Sequence, residues 1–260
     1  MIGFLVKKTF FDMWDNMFRV VLVNLGFIVS LAIPVLLPGV IPVPFLSIAV
    51  AAIGVLWCCS YLAAAALSVR ALSDYGVFGF AEFWANLKAG WPAGIIMGIA
   101  GFIFFIVIRI IIPFYLNMNS LVGLLLGAVI FWTLALALIS FQFFFAIRAR
   151  LDIKPQKIIK KCFIIFFDNP GFSIFSLLYT LVTLALSIIF ALLLPGPAGL
   201  LLFLDEGLRL RLMKYDWLEA NPLAADSPRR RPIPWDELLI EEREKTGTRT
   251  FRNFIFPWKD

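Results

Sequence analysis

The side chains with the clearest chemical potential are three charged residues near the end of the apolar part of the sequence: Asp205, Glu206 and Arg209. The seven residues before them, 198–204, are apolar, and a helix of that length rises only about 10 Å. If this helix crosses a membrane, both carboxylates start within or close to the hydrocarbon, where an unpaired charge is costly. Arg209 lies one helical turn from both, so its guanidinium could serve the two. The cluster predicts either a polar substrate or ion site, or a salt-bridged helix end at the membrane surface.

Other catalytic chemistry is poorly represented in the sequence. The chain has no histidine, which excludes imidazole bases, Ser-His triads and His-ligated metals. Cys58 and Cys59 are adjacent in an apolar run and Cys162 lies in a lysine-rich stretch, which indicates reduced structural thiols rather than a disulfide framework. The sequence has no Asp-rich metal motif, phosphate-binding loop or dinucleotide fingerprint. We therefore predict a non-enzymatic protein with no metal and no cofactor.

The composition indicates a membrane protein. Of the 260 residues, 62% are hydrophobic and 15% charged, with a mean hydropathy of +0.93, whereas soluble domains are about 45–50% apolar and about 25% charged. We predict an all-α polytopic fold with an interfacial N-terminal helix (1–19), a six-helix transmembrane domain (20–215) and a cytoplasmic tail (216–260). Each crossing needs about 20 apolar residues. The six crossings are placed at about 20–37, 45–69, 91–112, 121–147, 172–194 and 197–214.

Lysine and arginine decide the orientation, because they collect in cytoplasmic loops. Six crossings put 22 of the 23 basic residues on one side and leave only Arg109 on the other. Five crossings would instead place the 11 basic residues after position 208 on the wrong side. Both termini are therefore expected in the cytoplasm. The net charge of +6 follows from this topology, so nucleic-acid binding is not expected.

Two polar segments are expected to contact partners. The connector before the fifth crossing carries basic residues along an apolar stripe, which is typical of a helix on anionic lipid headgroups, with docking onto a cytoplasmic protein as the alternative. These residues are Arg148, Arg150, Lys154, Lys157, Lys160 and Lys161. The tail becomes aromatic towards its end, so it either folds back on the inner face of the membrane or anchors a partner protein. In both cases the contact residues are Trp235, Phe254, Phe256 and Trp258.

The chain also shows a weak internal repeat with a spacing of 78 residues. Arg70-Ala71-x-x-Asp74 aligns with Arg148-Ala149-x-x-Asp152, and Pro92 aligns with Pro170. In each copy a crossing ends in Arg, a short amphipathic segment follows, and Pro precedes the next crossing. The amphipathic segments are 77–87 and 155–167. Either a two-crossing unit is duplicated, or the local demands of a membrane surface and a helix start produce the same residues twice.

Two pairs of glycines flank the connection between the third and fourth crossings, namely Gly94/Gly98 and Gly123/Gly127. Small residues four positions apart let helix backbones approach closely. We expect them to pack these two crossings against each other within the chain, and dimerisation is the alternative.

The order of these features resembles a known family. The residues that carry the resemblance are Asn24 before an apolar run to a proline, the two Arg-Ala-x-x-Asp ends, the connector Phe83-Trp84-Ala85-Asn86-Leu87-Lys88, and a short last crossing. Over about residues 15–215 this pattern is similar to the YesL-like bacterial integral membrane proteins. The resemblance implies a bacterial cytoplasmic (inner) membrane and, loosely, an association with carbohydrate uptake systems.

Three functions are compatible with the sequence. The first is an accessory or scaffold subunit of a transport or envelope complex, with a membrane or cytoplasmic protein as partner. The second is a solute permease with Asp205, Glu206 and Arg209 near its pathway. The third is a lipid-processing enzyme that uses the two carboxylates and the basic interfacial helices on a headgroup phosphate.

Overall fold

The computed structural model describes residues 1–221, 233–247 and 249. Every regular element in this part of the chain is helical, which confirms the all-α prediction. The helices are α1 (Ile2–Asp15), α2 (Met17–Val40), α3 (Pro44–Ser73), α4 (Phe80–Ile106), α5 (Ile112–Leu116), α6 (Leu121–Phe141), α7 (Phe144–Arg150), α8 (Pro155–Asp168), α9 (Pro170–Ile189), α10 (Gly196–Ala220), α11 (Trp235–Leu238) and α12 (Ile240–Thr246). A π-helical segment, Val107–Ile111, joins α4 to α5.

Five helical stretches of the described chain are long and apolar enough to cross a membrane. They are Met17–Val40, Pro44–Ser73, Phe80–Leu116, Leu121–Arg150 and Pro170–Ile189. The prediction of a polytopic helical membrane protein is thus confirmed, but the count of six apolar crossings does not hold. The helix expected as the sixth, α10, carries too many charges, and residues 198, 199 and 201–208 are buried against other helices instead of facing lipid.

Helix α10 nevertheless runs back along the whole of α9. With 25 residues it rises about 37 Å, the length of a membrane crossing. The contacts between the two helices, in order along α10, are Gly196 N to Ser187 Oγ at 3.0 Å, the rings of Phe203 and Tyr179 at 3.7 Å, Arg211 over the ring of Phe172 at 4.3 Å, and Tyr215 Oη to Asn169 Nδ2 at 2.6 Å. Helix α10 therefore ends at the level where α9 begins. We call this end of the bundle, where α3 and α7 also end, the polar end, and the opposite one the far end.

The third crossing differs from its predicted bounds, 91–112. Helix α4 starts at Phe80, includes Pro92, and continues through the π-helical segment to Leu116. The predicted amphipathic segment 77–87 is therefore mostly the first part of a long helix. A break at Pro92 would separate Gly90 from Gly94, and both lie against the backbone of α3.

The two copies of the repeat consequently differ in local structure. Pro92 lies inside a continuous helix, whereas Pro170 begins α9 after a separate helix α8. Asn169 stands between these two helices with an irregular backbone. This difference favours local demands over duplication as the origin of the matching residues.

The fifth crossing also ends earlier than predicted, at Ile189 rather than at residue 194. The following turn is held by Asn24, whose side chain is fully buried. Its Nδ2 donates to the carbonyls of Leu193 (2.9 Å) and Pro195 (3.0 Å), and its Oδ1 accepts from the Ala198 amide (2.8 Å). Gly196 has a positive φ of 60° and leaves no room for a Cβ beside Asn24.

The glycine pairs pack within the chain, although only one of them packs as expected. A Cβ added to Gly94 would lie 2.2 Å from Ser60 Cα, so this pair places α4 against α3. The second pair matches the expectation, because Gly123 faces the carbonyl of Tyr115 and Gly127 faces Leu116 at the end of the third crossing. The long antiparallel contact of α3 with α4 was therefore missed from the sequence.

Candidate functional site

The charged residues singled out in the sequence meet other charges at the polar end. The face of α10 that carries Asp205 and Arg209 lies between the ends of α3 and α7, while Glu206 faces α1. Helix ends bring polar side chains to the membrane surface because the interior of each crossing is apolar. We refer to the eight side chains that meet here as the ion network. They are Lys8, Asp12, Asp74, Arg150, Asp205, Glu206, Arg209 and Glu242.

Asp205 is paired with Arg150 rather than with its helical neighbour Arg209. The Nε of Arg150 lies 2.9 Å from Oδ1 of Asp205, and Nη2 lies 2.5 Å from Oδ2. The same guanidinium donates to Asp74 at 3.0 Å and to the hydroxyl of Ser73 at 2.9 Å. Such a bidentate arrangement is among the strongest contacts available to a carboxylate. Arg150, expected on the lipid surface, is therefore an internal counter-ion.

Arg209 turns towards α3 and the tail. It lies 3.1 Å from Asp74 and 2.6 Å from Glu242, and it also donates to the carbonyl of Ser73. The prediction that Arg209 serves both Asp205 and Glu206 is wrong, because each of those carboxylates finds a cation on another helix.

Glu206 is fully buried and pairs with α1. Its Oε2 accepts from the hydroxyl of Thr9 at 2.5 Å, and its Oε1 lies 3.5 Å from the ammonium of Lys8. Burial opposes the charge on Lys8, but the nearby carboxylates of Glu206 and Asp12 outweigh it and raise the pKa of Lys8 above its ordinary value. Lys8 therefore stays protonated beside the carboxyl groups of Asp12 and Glu206.

Tyr75 closes the ion network on the tail side. Its backbone has a positive φ of 60°, which is unusual for a residue with a large side chain. Its hydroxyl donates to Glu242 at 2.7 Å, and the ammonium of Lys8 lies 4.1 Å from its ring centre. Burial raises the pKa of Tyr75 to about 12. Tyr75 therefore remains neutral, and its hydroxyl donates a hydrogen bond to Glu242.

Five of the eight side chains were named from the sequence, and Lys8, Asp12 and Glu242 were not. Lys8 and Asp12 fell within the predicted interfacial helix 1–19, and Glu242 fell within the predicted cytoplasmic tail 216–260. The only available signal was indirect, because buried carboxylates require cations from elsewhere in the chain. The spacing of Lys8 and Asp12, four residues apart in α1, was the nearest local hint.

A smaller polar cluster lies beside the ion network, where α8 meets α9. Lys214 lies 3.0 Å from Asp168 and 2.9 Å from Oδ1 of Asn169, and Tyr215 donates to Asp168 at 2.6 Å. Burial alone would raise the pKa of Asp168, but the hydrogen bonds from Tyr215 and Lys214 prevail and lower it. This cluster fixes the end of α10 to the start of α9.

The basic connector is divided between two environments. Lys154, Lys157 and Lys160 are exposed along α8, while Lys161 pairs with Asp152 at 2.7 Å. Arg148 donates to the carbonyl of Ala89 on α4. Arg150 belongs to the ion network, where it donates to Asp205 and Asp74. The exposed residues of α8 include Lys157 and Lys160 together with Ile164 and Phe167, and Ile158, Cys162 and Ile165 are buried.

The described part of the tail folds back on the bundle. Trp235 packs against the hydrophobic core, with the guanidinium of Arg211 5.9 Å from its ring centre. Glu242 is buried in the ion network, and Arg249 forms two hydrogen bonds of 2.8 Å with Asp15. The other expected contact residues, Phe254, Phe256 and Trp258, lie outside the described residues.

Within the described part of the chain, no three Cys, Asp or Glu side chains group in a way that would hold a metal ion. The ion network joins α1, α7, α10 and α12 with Asp74, the residue that follows α3. Comparison with protein-family models, with curated proteins and with solved structures finds no match to this chain. The resemblance to YesL-like proteins accordingly stays a prediction, and the geometry of the polar end is the basis for assigning a function.

Proposed function

We propose that this chain is a non-enzymatic subunit of a membrane complex and that its polar end is a rigid docking platform for a protein partner. The observation that supports this proposal is the burial of the two carboxyl groups that α10 contributes to the ion network. Asp205 and Glu206, the carboxylates best suited to chemistry, are 1% and 0% exposed and already face cations. A substrate would have to break these pairs before either carboxylate could bind it, which is costly for buried charges.

The same geometry weakens the permease and enzyme hypotheses in the form that uses these residues. A pathway beside Asp205 and Arg209 would pass between α10 and its neighbours α3 and α7. Hydrogen bonds hold these helices together, from Arg150 on α7 to Asp205 and from Arg209 to the carbonyl of Ser73 on α3. A rigid ionic junction is better suited to fixing the position of surface helices than to moving a solute.

The platform that we propose for the partner is a groove of about 560 Å³ between α1 and α12. It is lined by residues of both helices, including Lys7, Arg243 and Glu244. Lys7 on α1 donates to the carbonyl of Gly247, and this hydrogen bond connects the tail to α1. Charges of both signs beside apolar surface favour a protein surface with polar and apolar side chains over a lipid tail. The resemblance to YesL-like proteins suggests a carbohydrate uptake system as the complex.

Site-specific photo-crosslinking tests this proposal. A benzoylphenylalanine replaces Glu244 at the groove and, as the matched control, Asn119 in the exposed turn between α5 and α6 at the far end. We expect adducts of defined mass after irradiation of intact cells for position 244 and none for position 119. Equal adducts at both positions, or none at 244, would overturn the docking platform.

We further propose that the membrane is the bacterial cytoplasmic (inner) membrane, with both termini in the cytoplasm. The support is the distribution of charge, because basic residues gather at the polar end and Arg109 lies in the π-helical segment towards the far end. In a variant without native cysteines, a membrane-impermeant maleimide should modify Asn119→Cys in intact cells, and Glu244→Cys only after permeabilisation. The reverse pattern would contradict the orientation.

The exposed lysines of α8 are proposed to lie on anionic headgroups, with their aliphatic stems along the interface. Replacing Lys154, Lys157 and Lys160 by glutamine should reduce the anionic phospholipid that co-purifies in mild detergent. An unchanged lipid content would reject this contact.

A further inference from the structure

A groove of about 530 Å³ lies between α2 and the start of α4, with side chains of α3 between them. We call it the α2–α4 groove. Of the described residues that line it, Arg19 alone is charged. The rest of the lining is mainly apolar and aromatic, and it includes Leu22, Val29, Trp57, Phe83 and Trp84. Leu22, Val29 and Trp84 are exposed on the surface of the bundle, so the groove opens towards lipid.

Arg19 lies at one end of the α2–α4 groove. It belongs to the first turn of α2, where the first crossing begins. Its Nε donates to the carbonyl of Phe78 at 3.1 Å, and its Nη1 donates to Oδ1 of Asn16 at 3.3 Å. Phe78 follows the end of α3 and also lines the groove. The guanidinium is therefore held at the polar end, where a crossing meets the lipid headgroups.

The guanidinium of Arg19 has donors to spare. A guanidinium carries five N–H groups, and the hydrogen bonds to Phe78 and Asn16 use two of them. Within the described part of the chain Arg19 forms no ion pair, whereas Arg150 and Arg209 each face two carboxylates. Arg19 is thus a fixed cation that an anion from outside the chain can meet. At a membrane surface the abundant anion is the headgroup phosphate, which a guanidinium binds well.

The deeper part of the α2–α4 groove suits hydrocarbon. From Arg19 to Val29 the helix rises about 15 Å, which is half of the hydrocarbon thickness of about 30 Å and hence the depth of one leaflet. The polar atoms of the α3 side chains in this part already have partners. Tyr61 Oη donates to the carbonyl of Val23 at 2.8 Å, and Trp57 Nε1 donates to Ser30 Oγ at 3.1 Å. Below Arg19 the groove therefore needs no polar ligand.

We propose that the α2–α4 groove binds one phospholipid from the leaflet at the polar end. Its phosphate accepts hydrogen bonds from Arg19, and one acyl chain lies along the groove between Leu22 and Trp57. A transmembrane helix of another protein would cover the apolar part but supply no anion to Arg19, whereas a phospholipid meets both parts with one molecule. The site lies on a different face from the lysines of α8 and does not depend on the docking platform.

Photoaffinity labelling of the purified full-length protein in mild detergent tests this inference. The probe is a phosphatidylglycerol with a diazirine in one acyl chain, and mass spectrometry of peptides locates the adducts. The competitors are unlabelled phosphatidylglycerol and a diacylglycerol with the same chains and no phosphate. We expect adducts on the peptides around Val29 and Trp57. The phospholipid should compete about tenfold better than the diacylglycerol, because only the phospholipid carries an anion for Arg19.

Three variants separate the two parts of the site. Arg19→Gln removes the cation, so labelling of the groove should fall about tenfold. Val29→Trp fills the deep part from an exposed position and leaves Arg19 in place, so it should also lower labelling around Trp57. Arg109→Gln is the matched control, because it removes an exposed arginine in the π-helical segment of the third crossing. It should leave labelling of the groove unchanged.

Three outcomes would overturn the proposal. Equal competition by the phospholipid and the diacylglycerol would show that the phosphate is not recognised. Labelling of Arg19→Gln at the level of the wild type would remove the role assigned to that cation. Adducts spread evenly over all lipid-facing helices would indicate only the general contact of a membrane protein with lipid.

Discussion

Arg150 and Asp205 are 55 residues apart in the chain and form a bidentate ion pair between α7 and α10, with Nε to Oδ1 at 2.9 Å and Nη2 to Oδ2 at 2.5 Å. This pair explains why the least apolar of the long helices lies inside the bundle. Helix α10 can be buried because its carboxylates meet cations that other helices supply. The charge that makes α10 a poor lipid-facing helix also holds it in place.

Removing one partner of this pair is expected to destabilise the protein strongly. In Asp205→Asn the Arg150 guanidinium loses its buried carboxylate, and we expect the free energy of unfolding in detergent to fall by about 3–5 kcal/mol. The double variant Arg150→Met/Asp205→Leu should lose less than Asp205→Asn, because no buried charge is left unpaired. The exposed pair Arg243–Asp236 is the control, and Asp236→Asn should leave unfolding unchanged. A double variant that loses as much stability as Asp205→Asn, or more, would contradict the pairing.

The close contact of α3 with α4 gives a second prediction. A Cβ at Gly94 would lie 2.5 Å from the backbone nitrogen of Ser60, and backbone cannot move aside cheaply. Gly94→Ala should therefore lower the free energy of unfolding by about 1–3 kcal/mol, the usual cost of overpacking. Gly101→Ala in the same helix is the matched control, since nothing lies within 4 Å of its added Cβ. It should be neutral or stabilising by up to about 1 kcal/mol. Thermal unfolding of both variants in one detergent measures the difference.

Hydropathy was sufficient to predict the fold class and most crossings, because the crossings face lipid directly and their composition reports it. Hydropathy could not predict that α10 is buried inside the bundle. This burial depends on Arg150 and Lys8, whose distances to Asp205 and Glu206 are set by the packing of helices far apart in sequence. The continuity of α4 through Pro92 has the same origin, because packing against α3 overrides the local signal to break. The residues of the candidate site were therefore predictable, and their partners were not.

Asn24 connects α2 to the turn before α10 and gives a third prediction. Asn24→Leu would leave the carbonyls of Leu193 and Pro195 and the amide of Ala198 without their present partner in a buried turn. We expect a loss of at least about 2 kcal/mol in the free energy of unfolding, because each unpaired buried group is costly. Asn221→Leu, at an exposed asparagine beyond α10, is the control and should change little. Equal stabilities of the two variants would show that Asn24 does not hold the turn.

Asp168 makes part of the stability dependent on pH. Burial opposes its charge, but the hydrogen bonds from Tyr215 and Lys214 lower its pKa below the ordinary 3.8. A carboxyl with a lowered pKa in the folded state stabilises the protein above its unfolded pKa, and this contribution is lost as the pH falls through the folded value. The Tm of the wild type should therefore exceed that of Asp168→Asn near neutral pH, and the difference should shrink below pH 3.8.

The variant Tyr215→Phe identifies the cause of that shift. It removes the hydroxyl that donates to Asp168 at 2.6 Å, so the pH at which the stabilising effect of the Asp168 carboxylate disappears should move up towards 3.8. The measurement is Tm against pH for Tyr215→Phe and for Tyr215→Phe/Asp168→Asn, since the difference between these two isolates the contribution of Asp168 in the absence of the hydroxyl. If the midpoint of that difference coincides with the one obtained with Tyr215 present, the hydrogen bond does not set the pKa of Asp168, and Lys214 would be left as the group that fixes the end of α10 to α9.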